Sequence, residues 1–336
     1  MENLRDIAAS VRNYMGLLRK KPIAEVVELL QSTHIYGKQL PSYGDDAAVI
    51  PWQDGYLLMA SDGMMMGLLI NEPYAAGKAS VMVTVNDIYS MGGRPIALVN
   101  VLASGDPEQR REIVKGIEKG CQKLQVPMVG GHLHPDAPVD SPALSVAILG
   151  FAKQLLRSSL AMPGDELIMA VDLTGQMGCH SVTSWDANSG KSSEQLLYRL
   201  EALPKIAESK LAVAAKDISN AGVIGTMAIM IENSGCGAVI NLEAIPKPEI
   251  ISFSRWLHCF QSFGFVLAAP PENTLKICQI FKKRGITACR VGHVHAEPII
   301  YLKTQRETVQ LFDFRNEIIT GIRRPNPVAE AMASRA

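Results

Sequence analysis

The chain has 336 residues, and 33 lysines and arginines balance 33 aspartates and glutamates, so its formal net charge is zero. Hydrophobic residues make up 47% and charged residues 20%, a composition that excludes an intrinsically disordered chain. The neutral balance argues against nucleic acid or an anionic membrane as the partner. At about 100–200 residues per domain, the length predicts two domains.

The N-terminal half alternates helices and strands. Apolar residues at helical spacing predict a helix over 4–18, and Pro22 begins a second helix. After a polar loop at 32–44, the predicted strands are 47–52, 56–60, 95–103, 126–129 and 144–151, and the predicted helices are 73–91 and 106–124.

The second half starts after a break near 153–165. Its predicted strands are 166–172, 238–242, 263–269, 288–294 and 299–303, and its predicted helices are 194–202, 204–215, 223–233 and 272–284. We expect an α/β (α+β) fold with domains at 1–155 and 156–322 and a loosely held tail at 323–336.

No segment predicts a membrane span, because a spanning helix needs about 20 consecutive apolar residues. Ser61 and Asp62 interrupt the longest candidate, and the apolar stretch 222–231 is too short. The N-terminus does not resemble a secretory signal. The six cysteines are dispersed without a C-x-x-C pair, so we expect reduced thiols in a cytoplasmic protein.

Several common catalytic motifs are absent. Gly77-Lys78 is followed by Ala79, so the Walker pattern fails, and G-x-G-x-x-G, H-E-x-x-H and G-x-S-x-G do not occur. These absences disfavour Walker-type NTPases, Rossmann dehydrogenases, zincin proteases and α/β-hydrolases.

Four segments instead place aspartates among small or apolar neighbours. They are G-D-D-A-A at 44–48, S-D-G at 61–63, N-D at 86–87 and K-D-I-S-N at 216–220. Magnesium takes oxygen ligands from a few carboxylates and from substrate phosphates, so the segments suggest a nucleotide–Mg²⁺ site. The alternative for each is a turn or a helix cap. Asp87 is the exception, because it falls inside a helical pattern.

V-G-G-H at 129–132 follows a strand, and its glycines could bring backbone N–H groups close to a phosphate. An ordinary turn is an equal alternative. The pairs His132/His134 and His293/His295 favour structural or surface roles, since neither pair supplies enough ligands for zinc.

Taken in order, these segments resemble the aminoimidazole ribonucleotide (AIR) synthetase superfamily. Its members include thiamine-monophosphate kinase, selenophosphate synthetase and a hydrogenase-maturation protein. The specific signatures are G-D-D-A-A-V-I (44–50) and N-D-I-Y-S-M-G-G-R-P (86–95), supported by V-G-G-H and K-D-I-S-N-A-G, and the similarity extends over 44–313.

The resemblance implies a PurM-like fold, with an N-terminal sheet domain that forms a homodimer and a C-terminal α/β domain that closes over ATP and Mg²⁺. It implies phosphoryl transfer from ATP to a small molecule. The implied metal ligands are Asp46, Asp62, Asp87 and Asp217, the implied cofactor contacts are Asp45, Asp62, Asn86, Asp87, Gly130, Gly131, His132 and Ser219, and the implied catalytic residues are Asp217 and Asn220.

Each named activity lacks a characteristic residue here. Selenophosphate synthetases carry a reactive cysteine or selenocysteine ahead of G-D-D, whereas here no cysteine precedes Cys121. His132 and Asn220 stand where thiamine-monophosphate kinases carry aspartates. The hydrogenase-maturation protein ends in a cysteine, whereas this chain ends in Ala336. One alternative is a divergent thiamine-monophosphate kinase or a selenophosphate synthetase-like enzyme. Another is a maturation or regulatory protein that binds ATP without turning it over.

The acceptor is not predicted. We expect loop 175–191, with Trp185, Asp186 and Asn188, to select it, and a solvated loop is the alternative.

Overall fold

The computed structural model describes residues 3–37, 39–40 and 43–324. Most of the predicted tail at 323–336 lies outside these residues. Three short helices come first, α1 (Leu4–Arg12), α2 (Met15–Leu18) and α3 (Ile23–Leu30).

A five-stranded sheet follows, in the order β1-β2-β5-β3-β4. Its strands are β1 (Ala48–Trp52), β2 (Gly55–Gly63), β3 (Arg94–Ala103), β4 (Met128–His134) and β5 (Ala143–Ala152), and its helices are α4 (Met66–Asn71), α5 (Pro73–Ser90) and α6 (Pro107–Leu124). β3 and β4 run parallel, because α6 crosses between them, and the other pairs are antiparallel.

The helices α5 and α6 pack unusually closely. Both begin with proline at the first turn, and Asp106 caps α6 by accepting from Glu108 N at 2.8 Å. A Cβ at Gly77 would lie only 2.0 Å from Ile113 O, so glycine is needed at this crossing. Every residue of 84–90 in α5 is buried, so the Asn86-Asp87 pair lies in the interior of the fold.

The second sheet has seven strands in the order β15-β14-β10-β13-β6-β12-β9, and a small sheet has the order β11-β8-β7. The strands are β6 (Glu166–Val171), β7 (Gln176–Met177), β8 (Ser184–Asp186), β9 (Ala214–Asp217), β10 (Gly237–Asn241), β11 (Phe260–Gln261), β12 (Gly264–Ala269), β13 (Thr287–His295), β14 (Ile299–Lys303) and β15 (Thr308–Asp313). The helices are α7 (Ser193–Leu200), α8 (Ala202–Glu208), α9 (Gly222–Asn233), α10 (Phe253–Leu257) and α11 (Pro271–Lys282).

Both faces of this second sheet are covered. Along β6, Ile168 and Ala170 pack into a core shared with α5, while Leu167, Met169 and Val171 pack into a second core around α9. The alternation follows the two-residue period of a strand. Helix α9 is buried throughout its length, and its residues 222–231 are apolar apart from Thr226.

The first helix packs on the second core rather than on the first. Leu4, Ile7 and Val11 belong to the core around α9, and Arg12 forms an ion pair with Glu317. The prediction of one helix over 4–18 is wrong, because α1 ends at Arg12 and α2 starts at Met15. After this break, α2 packs against α9. We call the five-stranded sheet with its helices the first unit and the seven-stranded sheet with its helices the second unit.

Two other predictions are wrong. The predicted helix 204–215 ends at Glu208, because Lys210 adopts a positive φ of 54° and Ala214–Asp217 pairs with β12. The loop expected at 175–191 contains β7 and β8, and β15 was not predicted.

Within the described residues, no helix combines the length and apolar character needed to cross a membrane.

Candidate active site

Asp46, Asp87 and Asp217 meet at one point. One carboxylate oxygen from each lies within 4.8 Å of the others. They come from the loop before β1, from the last turns of α5 and from the end of β9. Asp87 is 8% exposed and Asp217 is 5% exposed, so the cluster, which we call the carboxylate triad, is buried.

A network of donors fixes Asp46. Ser90, one turn after Asp87 on α5, donates its hydroxyl to Asp46 Oδ2 at 2.6 Å, and Asp217 N donates to the same oxygen at 3.1 Å. The ammonium of Lys216 contacts Asp46 Oδ1. Asp46 is therefore linked by hydrogen bonds and an ion pair to α5 and β9, the two elements that carry Asp87 and Asp217.

The triad carries more negative charge than its surroundings compensate. Burial, reinforced by the charges of Asp62, Asp217 and Asp46, raises the pKa of Asp87 well above its ordinary value. Burial and the charge of Asp46 raise the pKa of Asp217 in the same way, against the opposing effect of Lys216. Mutual repulsion of this kind is characteristic of cation sites and catalytic sites.

Lys216 remains a cation in this environment. Burial acts to lower the pKa of its ammonium, but the charges of Asp46 and Asp217 outweigh burial and raise it.

The triad opens into a cavity of about 580 Å³ between the two sheet units. Asp62, from β2, lines it, and burial raises the pKa of Asp62 despite the nearby charge of Lys20. Ser219 and Asn220 line it from the second unit. The structure thus brings the predicted residues Asp46, Asp62, Asp87, Asp217, Ser219 and Asn220 together at one cavity.

The N-terminal segment supports the Ser219–Asn220 side of the cavity. Tyr14 donates its hydroxyl to Asn220 Oδ1 at 3.4 Å and to His258 O at 3.2 Å. A Cβ at Gly16 would lie 2.0 Å from Asn220 O, so only glycine allows this contact.

Asp45 also lines the cavity, but its carboxylate binds elsewhere. Arg157 Nε donates to Asp45 Oδ2 at 2.8 Å, and Ser158 Oγ donates to Oδ1 at 2.9 Å. The side chain is completely buried. Burial raises the pKa of Asp45 in spite of the guanidinium. These contacts fasten the G-D-D loop to the segment between the units.

Asn86 faces the second unit and does not line the cavity. Its Nδ2 donates to Ser262 O at 3.2 Å, and its Oδ1 has no hydrogen-bond partner among the described residues. The structure gives Asn86 a contact between units.

Gly130, Gly131 and His132 lie in a different place, on the edge strand β4. They line an open groove of about 800 Å³ together with Arg110, Arg111 and Lys115. The rings of His132 and His134 lie 4.6 Å apart, on one side of the strand. Within a single described chain, these three predicted cofactor residues are not part of the triad cavity.

Sequence reasoning missed several polar residues of the cavity. Arg19 and Lys20 line it, and their side chains make no hydrogen bond or ion pair within the described ranges. Gln261 lines it with a buried Oε1 that has no partner among the residues described. Lys216 was recognisable in principle, because it directly precedes Asp217 in the K-D-I-S-N motif.

The loop expected to select the substrate packs against both units, because Trp185 lies in the core around α9 while Asp186 and Asn188 contact α5. Trp185 is 1% exposed, Asp186 pairs with Lys78 at 3.7 Å, and Asn188 Nδ2 donates to Met82 Sδ at 3.1 Å. Of this loop, Val182 lines the cavity.

The donor set of the triad fits a hard divalent cation. All three groups are carboxylates, with no sulfur or imidazole ligand among them. Oxygen-only ligation is what Mg²⁺ prefers, whereas zinc sites use cysteine and histidine.

The sequence and the fold correspond to a recognised class of protein. Family models of the AIR synthase related protein match the chain twice, with the N-terminal domain over residues 44–152 and the C-terminal domain over residues 163–305. The chain therefore belongs to the AIR synthase-related family.

Curated relatives support this assignment. An uncharacterised protein of Methanocaldococcus jannaschii is 40% identical over 324 residues, which cover 95% of this chain and 99% of that protein. An uncharacterised protein of Synechocystis sp. is 37% identical over 320 residues, covering 95% and 98%. The phosphoribosylformylglycinamidine synthase subunit PurL of Pyrococcus furiosus is 26% identical, and the match covers 84% of this chain but 46% of that protein.

Solved structures share the fold. Thermotoga maritima PurL complexed with ATP superposes with a TM-score of 0.69 and 19% identity, over 87% of this chain and 49% of that chain. AaThiL complexed with AMPPCP and TMP gives a TM-score of 0.65 and 17% identity, over 85% and 96%. The predicted PurM-like α/β fold is confirmed.

Proposed function

We propose that this protein is an ATP- and Mg²⁺-dependent enzyme that transfers a phosphoryl group to a small molecule, or activates that molecule as a phosphate ester. The observation that carries the proposal is the convergence of Asp46, Asp87 and Asp217 from three distant parts of the chain on one cavity. Phosphoryl transfer depends on positioning and charge neutralisation more than on a covalent catalyst, and the cavity offers both.

The triad would hold Mg²⁺, with Asp62 beside it on the cavity wall. When bound, the metal neutralises charge on the transferring phosphoryl group. Asp217 reaches the site from the second unit, and we assign Asp217 and Asn220 the catalytic positions beside the phosphates.

The remaining wall of the cavity suits a small polar acceptor. Arg19 and Lys20 offer basic side chains that pair with no described residue, and Gln261 Oε1 offers a buried hydrogen-bond acceptor without a donor among those residues. A ligand that supplies an N–H or O–H group to Gln261 would remove the cost of that unpaired oxygen. Met64, Leu68 and Ile229 supply apolar lining.

Relatives support the choice of nucleotide. PurL of Thermotoga maritima has been crystallised with ATP, and AaThiL with AMPPCP and TMP. Asp46, Asp62, Asp87 and Asp217 at the cavity of this chain are compatible with a nucleotide carried by Mg²⁺.

We further propose that a second copy of the chain covers the open face of the first sheet, as in the homodimer that the resemblance implies. Met59, Val99 and Val101 on this face are 43–52% exposed. Gly130 pairs with Val99 and His132 with Val101 across β3 and β4, so the glycine segment adjoins that face. A groove completed at the interface would give Gly130, Gly131 and His132 their cofactor role.

Calorimetry with AMPPCP and Mg²⁺ tests the proposal. The wild-type chain should bind, and Asp87→Asn should weaken binding at least about tenfold, because it removes a metal-binding charge. Asp186→Asn is the matched control, since Asp186 pairs with Lys78 rather than with the triad. Equal affinity of the wild type and Asp87→Asn would contradict the proposal.

Measurement of ADP release distinguishes two more specific hypotheses. Formation of ADP with thiamine monophosphate would identify a divergent thiamine-monophosphate kinase, a reading that the similarity to AaThiL favours. Tight AMPPCP binding with no ADP formed from ATP across a panel of metabolites would favour a regulatory ATP-binding protein. Asn220, where the thiamine-monophosphate kinases carry an aspartate, motivates this second reading.

A further inference from the structure

Lys216 places a cation inside the carboxylate triad. Its ammonium contacts Asp46 Oδ1 and lies 3.3 Å from Gly44 O. The Lys216 side chain is 11% exposed and the Asp46 side chain 4%. Because Asp46 precedes β1 and Lys216 lies on β9, this ion pair joins the two sheet units at the site.

The ion pair uses the oxygen that a metal would need. Asp46 Oδ2 already accepts hydrogen bonds from Ser90 Oγ and Asp217 N. Oδ1 is therefore the oxygen of Asp46 left for a cation, and Lys216 contacts it. Two cations at one buried oxygen repel each other, so a divalent ion competes with Lys216.

The charges at the site also indicate competition between Lys216 and a metal ion. The triad supplies three carboxylates, and Lys216 offsets one of them before any metal arrives. A metal that enters alone must displace this cation. A triphosphate that enters with the metal brings its own oxygens, which Lys216 can contact because it lines the same cavity.

We propose that Lys216 is an internal counter-ion that keeps the metal site weak until nucleotide binds, and that its ammonium exchanges Asp46 for a phosphate oxygen when both ligands are present. The inference rests on the proposed function of the site. Metal and nucleotide binding are then coupled, and each tightens the other by the same factor.

Manganese binding to the full chain, measured by calorimetry and by electron paramagnetic resonance, tests the exchange. Without nucleotide, Lys216→Met should bind Mn²⁺ about tenfold more tightly than the wild type, because the competing charge is gone. The same variant should bind AMPPCP more weakly in Mg²⁺, and the factor by which AMPPCP tightens Mn²⁺ binding should fall. Lys216→Arg keeps the charge and should leave Mn²⁺ binding weak.

Lys78→Met is the control, because Lys78 also pairs with an aspartate across the units but lies outside the triad. It should leave Mn²⁺ affinity unchanged. Wild-type or weaker Mn²⁺ affinity in a folded Lys216→Met variant would overturn the inference. If Lys216→Met does not fold, Lys216→Arg provides the test. Tighter Mn²⁺ binding by Lys216→Arg than by the wild type would then overturn the inference. Absence of Mn²⁺ and AMPPCP binding in the wild type would instead overturn the proposed function itself.

Discussion

Asp45 and Asp46 are adjacent in the chain, yet their carboxylates bind different cations. Asp45 Oδ2 accepts from Arg157 Nε at 2.8 Å, whereas Asp46 Oδ1 contacts Lys216 Nζ. Arg157 lies in the segment between the units, and Lys216 lies at the cavity. One aspartate therefore anchors the G-D-D loop, and the other presents its charge to the site.

Asparagine substitutions should separate these two roles. Asp45→Asn should lower the free energy of unfolding by about 1.5–3 kcal/mol, because it weakens buried hydrogen bonds to a charged group. Its Mn²⁺ affinity, measured on the folded protein, should stay close to that of the wild type. Asp46→Asn should weaken Mn²⁺ binding at least about tenfold. Urea unfolding and calorimetry measure the two effects, and a reversed pattern would refute the assignment.

The stability of the metal-free protein should fall as pH rises. The unfolded chain releases the protons of Asp87 and Asp217 near the ordinary pKa of about 3.9, whereas burial and neighbouring carboxylates raise both pKa values in the folded chain. Above that pH the folded state binds more protons than the unfolded state, so the free energy of unfolding decreases.

Thermal unfolding in EDTA checks this pH dependence. The midpoint should be lower at about pH 8 than at about pH 5, Asp87→Asn should reduce the difference, and Mg²⁺ should restore stability at the higher pH. An identical pH dependence in the wild type and Asp87→Asn would contradict the raised pKa of Asp87.

Glu232 should stabilise segment 319–322, which forms part of the cavity wall. Its fully buried carboxylate accepts from Ile319 N, Thr320 N and Thr320 Oγ1, each at 2.8 Å. Thr320 and Ile322 line the cavity. Glu232→Gln turns an amide donor toward these donors, and we expect a loss of about 1–3 kcal/mol of unfolding free energy.

Hydrogen exchange locates the effect of Glu232→Gln. Protection should fall at 319–322 more than in α11, and the exposed substitution Glu194→Gln should change neither region. Loss of protection spread evenly over the chain would argue against a local role for Glu232.

A charge on the open sheet face should separate the proposed dimer. Val99→Asp places a carboxylate where a second copy would pack, and the expected result by light scattering is a monomer from a dimeric wild type. Leu275→Asp is the control, because Leu275 is 77% exposed on α11, which belongs to the second unit. A monomeric wild type, or a dimer unaffected by Val99→Asp, would refute the proposed interface.

Much of this arrangement followed from local sequence. Pro73 and Asp106 mark helix starts, and α5 and α6 occur where periodicity predicted them. Asp87 was recognised as unusual because no turn or cap explains a charge inside a helix. The aspartates of the triad were predicted as metal ligands, and the structure brings them together.

The missed features depend on packing between distant segments. Lys20 reaches the cavity only because the chain breaks after α1 and Gly16 packs against Asn220, and no local pattern encodes that contact. Gln261 is notable only because its Oε1 lacks a partner. The predicted helix 204–215 was too long, since the alanines of β9 resemble a helix until their pairing with β12 is known.

Anomalous diffraction from crystals containing Mn²⁺ and AMPPCP tests the central claim most directly. The account predicts a manganese peak within about 2.2 Å of oxygens of Asp46, Asp87 and Asp217, with the phosphates in the same cavity. Nucleotide bound with its manganese at any other place, and no peak between these three carboxylates, would contradict it.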